Sequence, residues 1–568
     1  MKVKILIALC CLIGSHTFAQ TIPVGAPVWE EALRRQQLLD TTRTYPSFMV
    51  RPFDPQAALD TTYYYGVLMQ PVGASKYPLH RSNASGKIAL GLLPAEYQMQ
   101  FNSKNPYGWG DRAMIPNRGF QQMLSAGFYA KLGPLSIQLR PEWVTAQNRA
   151  FDGFESANFS TSVINSRFIY WNSGDNPERI GTAAHQQFFL GQSSIRLNFG
   201  AFSLGYSTEN IAWGPGQFNG LIFSDNAPGF QHLTFNTRKP AKTFLGNFEG
   251  QLIMGRLESS NQGPTQDEAI NNQFFRTISD DWRYLNGINI SYNPKWVKGL
   301  YLGLSRTFQF YSEDIIGGDW QTYFPIFEAF QKERVGFSGG NSVEYDNQRN
   351  DQQVAVNLRW VFPKSNAEIY MEYGRRDHAL NWRDFFMSPD HASAYLFGFQ
   401  KLVPLPKSSE FLQIRAEVTR ASETPSTITR YIENYGISWN THYQVRGFTH
   451  YGQPLGVGSG PGSNVETVEI AWVRKINKLG LQVQRLENQK DFFNRAFGDD
   501  PARRPWTDFS INLMGSWQFD RLVMNASMRG IQSFNYQWRM SEPNPITNRR
   551  VGEDRFNLQF TMGASYVF

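Results

Sequence analysis

Cysteine is nearly missing from this 568-residue chain: Cys10 and Cys11 fall inside the first nineteen residues, and none follows. A disulfide framework and a cysteine-ligated metal site are thereby excluded downstream, and a thiol-free body suits an oxidising compartment. Long apolar runs are missing too. The stretch from Ile5 to Ile13 is too short for a membrane-spanning helix, which takes about 20 residues. Linkers are lacking: no Pro/Ser-rich tether, charge block or low-complexity stretch interrupts Gly119 to Phe568, so the length belongs to one large architecture rather than a string of small domains. Charge of one sign is also scarce. The chain carries 55 basic and 48 acidic residues, a formal +7 that becomes +5 once Lys2 and Lys4 are removed. With no basic tract or nucleic-acid motif beside it, that excess argues against a nucleic-acid partner.

Aromatic residues, by contrast, are abundant. They make up 15% of the chain, with 44 Phe, 25 Tyr and 15 Trp, although the mean hydropathy is only −0.43. A water-soluble domain rarely needs so many. The N-terminus explains where such a protein goes. Lys2 and Lys4 precede the apolar run, and Thr17-Phe18-Ala19 puts small residues at the two positions a signal peptidase reads, so residues 1–19 are expected to be a cleaved signal peptide. Cys10 and Cys11 follow Leu9 and Cys10 rather than a small residue, which argues against a lipid-modified N-terminus.

At the other end Phe556, Leu558, Phe560, Met562, Ala564, Tyr566 and Phe568 alternate with Asn557, Gln559, Thr561, Gly563, Ser565 and Val567. That period of two gives a strand with one greasy and one mostly polar face. Lipid outside and water inside select this pattern, and because a bilayer offers backbone groups no hydrogen-bond partners, the sheet must close. Similar runs recur upstream: Leu412, Ile414, Ala416 and Val418 oppose Gln413, Arg415, Glu417 and Thr419, and Ile369, Met371 and Tyr373 oppose Glu368, Tyr370 and Glu372. An Arg415 turned to lipid would cost about 2 to 4 kcal/mol at mid-depth, so the charged face is expected to line the lumen. Asp520-Arg521 reads as a tight turn between two such strands. Counting from Gly119 to Phe568 gives a transmembrane antiparallel β-barrel of about 18 strands, with the longest loops at Phe151 to Ala184, Ser259 to Asp280, Ser312 to Asn350 and Arg420 to Ile437. Residues 20–118 lack the alternation; Trp29 to Leu39 reads as a short helix with Trp29 and Leu33 on one side. This segment is expected to form a small, partly helical periplasmic cap or plug before a barrel of residues 119–568.

Two segments are too rich in glycine and proline to be strands. Trp213-Gly214-Pro215-Gly216-Gln217-Phe218-Asn219-Gly220 leads into Ser224-Asp225-Asn226-Ala227-Pro228, and Gly447-Phe448-Thr449-His450-Tyr451-Gly452-Gln453-Pro454-Leu455-Gly456 leads into Gly458-Ser459-Gly460-Pro461-Gly462-Ser463-Asn464. Both resemble motifs of the Wzi-type capsule assembly family of outer-membrane proteins, and the similarity continues through Phe235 to Gln251, Asp281 to Tyr311 and Asp351 to Gly398. The resemblance implies an 18-stranded barrel with a helical periplasmic plug, acting as a surface lectin that holds capsular polysaccharide on the cell.

Sugar binding also has a physical rationale. Aromatic rings stack on the apolar faces of pyranoses, while Asp, Asn, Arg and Gln satisfy the hydroxyls. Candidate ligand residues are therefore Trp171, Asp175 and Asn176 in one long loop; Trp213, Asp225, Asn226 and His450 in the glycine-rich segments; Asp319, Trp320 and Tyr323 in another loop; and Trp382, Arg383 and Asp384 in a third. For any single ring, a place in the aromatic girdle at the membrane boundary or in the core is the more ordinary role. Catalytic signatures are scarce. Asp377-His378 and Asp390-His391 are adjacent pairs that point to opposite strand faces, and no Gly-x-Ser-x-Gly, His-Glu-x-x-His or zinc-like spacing occurs. The expected protein is non-catalytic, without cofactor or metal, and binds capsular or exopolysaccharide and outer-membrane lipid, with its terminal Phe568 read by the barrel-assembly machinery. A diffusion channel for ions or small solutes is the alternative.

Overall fold

The computed structural model describes residues 21–40, 45–54, 80–83, 87–315, 323–327, 350–376, 392–407, 409–423, 438–498, 500, 502–541 and 551–568. The signal peptide expected at 1–19 lies outside them. Among the described residues no helix is long and apolar enough to cross a membrane; the chain crosses with strands.

Eighteen antiparallel staves close into one barrel. The first half runs through β1 Ile88–Asn102, β2 Gly119–Leu132, β3 Leu135–Leu139, β4 Glu142–Ala146, β5 His185–Phe189, β6 Ser194–Phe199, β7 Phe202–Ser207, β8 His232–Thr237, β9 Gly246–Leu257 and β10 Arg283–Pro294. The second half is β11 Leu300–Tyr311, β12 Asn350–Phe362, β13 Ala367–Arg376, β14 Ser393–Pro404, β15 Phe411–Arg420, β16 Asn464–Arg474, β17 Asn477–Glu487, β18 Thr507–Phe519, β19 Leu522–Phe534 and β20 Arg555–Tyr566. β3 and β4 share one stave, split where Pro141 removes a ladder donor, and β5 and β6 share another.

The expected faces are the observed ones. On β20 Phe556 is 57% exposed to the lipid side, whereas Asn557 is 1% exposed on the lumenal side. Arg415 and Glu417 are buried in the lumen, and Asp520-Arg521 is the two-residue turn joining Phe519 to Leu522. The start of the barrel is a correction. β1, not the strand at Gly119, pairs with β20 and closes the sheet, from Gln559↔Asn102 to Tyr566↔Ala95, so the barrel includes residues 88–118 that sequence reading assigned to the cap. A register shift between Leu93 and Glu96 explains why they were not recognised. Ile88, Leu90 and Leu92 face out before it and Phe101 after it, so the bulge swaps the faces and destroys a single period-two pattern.

Hairpin turns on one rim are short, as at 200–201, 363–366, 475–476 and 520–521, while the other rim carries long connections such as 147–184 and 258–282. Short turns belong to the periplasmic rim and long loops to the cell exterior. Helix α1, Pro27–Leu39, fills the short-turn end of the lumen. Its Trp29 and Leu33 pack with Phe48, Ile476, Val523 and Val567, and Arg34 pairs with Glu368 of β13 at 2.7 Å. Among the described residues three more helices lie in the long loops: α2 Thr161–Asn172, α3 Glu268–Phe274 and α4 Lys490–Phe497. Phe154, Phe168, Trp171, Phe492, Phe497 and Trp538 join them in an aromatic cluster over the outer end, with the Arg167 guanidinium 4.0 Å from the Trp171 ring centroid. The lumen is therefore not simply a wet pore. Between the two end caps sits a second hydrophobic core, including Trp213, Leu221, Phe223, Trp439, Phe448 and Leu455.

Candidate functional site

The first glycine-rich segment leaves the wall after β7 and folds into the lumen, where two carboxyl groups from the wall hold its backbone. Glu372 of β13 accepts from the N–H of Gly216 at 2.7 Å and of Leu221 at 2.9 Å. Glu417 of β15 accepts from the N–H of Gln217, Phe218 and Asn219 at 2.8, 3.0 and 2.9 Å. A Cβ on Gly216 would lie 2.9 Å from the Glu372 Oε1 and 3.0 Å from the Gly220 Cα, so only glycine admits the carboxylate. From the periplasmic side Arg34 and Arg51 donate to the carbonyls of Pro215 and Gly214 at 2.8 and 2.9 Å, and Val50-Arg51 pairs as a two-residue ladder with Trp213 and Ala212.

The second glycine-rich segment closes over the first from the outside. Val457 N–H donates to Gly220 O at 2.8 Å and Ser224 N–H to Leu455 O at 2.9 Å, while Trp439 Nε1 donates to Leu221 O at 2.8 Å. Arg283 of β10 and Gln309 of β11 anchor it to the wall through Gly447 O, at 2.5 and 2.8 Å. Two segments more than 200 residues apart thus form one interlocked plug, in which buried backbone polar groups find partners that neither segment supplies alone.

This arrangement corrects several candidate ligand residues. Trp213 is 1% exposed, with its Nε1 donating to Gln251 at 2.8 Å. Asn226 is buried, accepting from Gly110 N–H at 3.0 Å and donating to Pro454 O at 2.7 Å. Trp171 lies inside the outer aromatic cluster. All three side chains are almost fully enclosed by protein. Asp225 sits deep in the lumen, its Cβ beside Gly25 and its carboxylate beside Gly110. Asn176 lines a narrow crevice of about 30 Å³ beside Trp171 and Pro461. Tyr323 is exposed, and its carbonyl accepts from the Tyr284 hydroxyl at 2.8 Å. Asp319, Trp320, Trp382, Arg383 and Asp384 lie outside the described residues, as do the Asp377-His378 and Asp390-His391 pairs.

Asp175 and His450 are buried but brace one loop from behind. Asp175 accepts from Ser260 N–H at 2.7 Å and from the Ser260 hydroxyl. His450 Nδ1 accepts from Glu258 N–H at 3.0 Å. Burial, with the Arg283 charge adding to it, lowers the His450 pKa to about 3, so the ring stays neutral and keeps this acceptor. The braced residues 259–262 form one wall of a cleft of about 420 Å³ on the outer rim. His185 and Gln187 of β5 line it as well, and Tyr451 and Gln453 come from the second glycine-rich segment. Tyr451 meets Phe189 edge-on, ring centroids 5.9 Å apart. Gly452, at φ +77°, makes the approach possible, because a Cβ there would sit 2.9 Å from the Ser260 Cβ. An open cleft of this size with one aromatic pair and several neutral amide and imidazole groups is suited to a polyhydroxylated, uncharged ring. Tyr451 and Gln453 stood in a recognised segment; His185, Gln187, Asn261 and Gln262 carried no signal of their own.

A family model described as capsule assembly protein Wzi matches residues 114–520, which take in both glycine-rich segments and the cleft. The chain belongs to the Wzi capsule assembly family. Among solved structures it is similar to Wzi from Escherichia coli, an outer-membrane protein described as involved in group 1 capsule assembly and as a carbohydrate-binding β-barrel. The identity is 13%, the TM-score 0.56, and the alignment covers 97% of this chain and all of that one. OccAB4 of Acinetobacter baumannii aligns at 8% identity and TM-score 0.36 over 83% of this chain and 97% of its own, and OprD of Pseudomonas aeruginosa at 7% and 0.35 over 83% and 92%. No curated protein matches the chain. The family match and the closed barrel together make this an outer-membrane protein of capsule assembly.

Proposed function

We propose that the protein is a non-catalytic surface receptor for capsular or exopolysaccharide, and that the polymer rests in the outer-rim cleft between Gln187, Asn261 and Tyr451. The observation that carries this reading is the pairing of a plugged lumen with an open, neutral, aromatic-bearing cleft on the exterior rim. A polymer held there stays outside the cell, which is what retention of a capsule requires. The description of the E. coli protein as a carbohydrate-binding barrel supports it. The terminal strand ending at Phe568 serves, in the same reading, as the signal for the barrel-assembly machinery.

Glycan-array and titration measurements on detergent-purified protein test the proposal. Removing the ring in Tyr451→Ala should weaken binding about tenfold, equivalent to roughly 1.4 kcal/mol of stacking and packing, and should shed capsule into the medium without stopping its synthesis. Full retention by a Tyr451→Ala, Gln187→Ala double variant would remove the cleft as the site, and full retention in a deletion strain would remove the function. A diffusion channel is the second reading, drawing on two lumenal spaces of about 340 and 240 Å³ that share Gln217, Asp225 and Arg529 beside the plug. Conductance in planar bilayers separates the two.

A further inference from the structure

Lysine is sorted by end in this barrel. Of the thirteen lysines among the described residues, Lys104 and Lys490 are at the long-loop end and the other eleven at the short-turn end. Two of those eleven, Lys131 and Lys478, are buried on the lumenal side. Lys242, Lys295, Lys298, Lys364, Lys407 and Lys475 are exposed in the short turns, and no ion pair joins them to a described carboxylate. The acid in those same turns is Glu410, which is occupied by Trp472 Nε1 at 3.0 Å and Arg474 at 3.8 Å; Asp520 stands in a short turn without lysine. The long-loop end uses arginine instead and pairs much of it, as in Arg555 with Asp152 and Glu553 at 2.7 Å.

The lysines lie level with an aromatic girdle. Phe244 and Trp296 are 84% and 67% exposed in the two adjacent turns that carry Lys242, Lys295 and Lys298, and those turns are joined by Lys295 N–H donating to Leu245 O at 3.0 Å. Trp472 stacks on Trp517 at 5.5 Å beside Lys475, and Trp360 packs on Phe362 at 5.1 Å beside Lys364. Aromatic rings of this kind settle at headgroup depth. A lysine one or two residues further along the turn then places its ammonium among the phosphates, its alkyl stem lying along the acyl boundary. The charges are spread over five successive turns of the rim rather than gathered on one loop, which fits a broad lipid contact rather than a compact soluble partner.

We infer that the short-turn rim is a binding surface for anionic phospholipid headgroups of the leaflet facing the periplasm. The cationic arc selects them, fixes the depth of the barrel and holds the plugged end against the membrane. The test uses full-length protein reconstituted in vesicles of equal phosphatidylcholine and phosphatidylglycerol, with the lipid retained on mild detergent extraction counted by native mass spectrometry. Wild type should retain phosphatidylglycerol over phosphatidylcholine by at least about fivefold, the preference one lysine confers near an anionic surface. Replacing Lys242, Lys295, Lys298, Lys364 and Lys407 together by Gln should abolish the preference, and replacing them by Arg should keep it, while heat-modifiable gel migration verifies that both variants fold. Equal retention of the two lipids by wild type, or an unchanged preference in the Gln variant, overturns the inference.

Discussion

Glu417→Ala offers the sharpest test of the interlocked plug. The substitution withdraws one acceptor group from three backbone N–H donors, those of Gln217, Phe218 and Asn219, and from the Tyr370 hydroxyl at 2.9 Å. Each buried donor left without a partner costs about 1 to 3 kcal/mol. Gln217 and Phe218 also border both lumenal spaces, so water can enter and satisfy part of the loss. The expected cost therefore sits at the low end, about 3 kcal/mol for the segment, which corresponds to opening roughly a hundredfold more often. The barrel itself, held by the continuous ladder from β1 to β20, should survive and still migrate as a folded, heat-modifiable species. Hydrogen exchange followed by mass spectrometry on peptides covering 214–224 reads the effect directly: exchange should accelerate about a hundredfold there and remain unchanged in β18 to β20. Glu417→Gln, which keeps one carbonyl acceptor, should fall between. If the 214–224 amides exchange at the wild-type rate in Glu417→Ala, the carboxyl group is not what holds the segment and the account of the plug is wrong.

Asp175→Ala should weaken glycan binding without touching the ligand, because it frees Ser260 from both of its bonds; a conserved affinity with a loosened 258–262 loop by hydrogen exchange would show that the braced wall is dispensable. Gly452→Ala meets Ser260 and Pro177 at 2.9 and 3.1 Å with φ at +77°, and should cost about 1 to 2 kcal/mol from the backbone conformation alone, read as a lower unfolding midpoint of the outer hairpin. Asp491 in α4 is pushed up to about 7 by burial, well above the ordinary carboxylate range. Its folded form holds a proton that the unfolded form has lost, so its contribution is full below about pH 4 and disappears as pH rises through 7. The outer cap should accordingly be better protected from exchange at pH 5 than at pH 8, and Asp491→Asn should flatten that dependence; a cap equally protected at both pH values in wild type would refute the assignment.

Family membership and architecture were both legible in the chain, though by different means. The strand faces follow from a period of two imposed by lipid on one side and the lumen on the other, a local rule that each strand obeys by itself. Hence Phe556 and Asn557, Arg415 and Glu417, and the Asp520-Arg521 turn all stand where the alternation put them. The first strand escaped because its bulge reverses the rule midway. Helices α2 and α3 lay inside stretches recognised only as long loops, since neither carries a period that distinguishes it from the irregular chain around it.

The binding surface was a different matter. Trp213, Asn226 and Trp171 have the chemistry that grips sugars, but that same chemistry fills a core, and no sequence property separates the two uses. The residues that line the outer cleft, Gln187 and Asn261 among them, are ordinary polar residues brought together by distant partners. Composition and alternation by themselves determined that the chain crosses a membrane as a closed barrel and which side of each strand meets lipid, because those are local responses to solvent. What occupies the lumen, and which polar groups reach the exterior, depends on contacts such as Glu417 with Gln217, 200 residues apart. Only the closed sheet brings those groups within hydrogen-bonding distance, so only the tertiary structure could decide them.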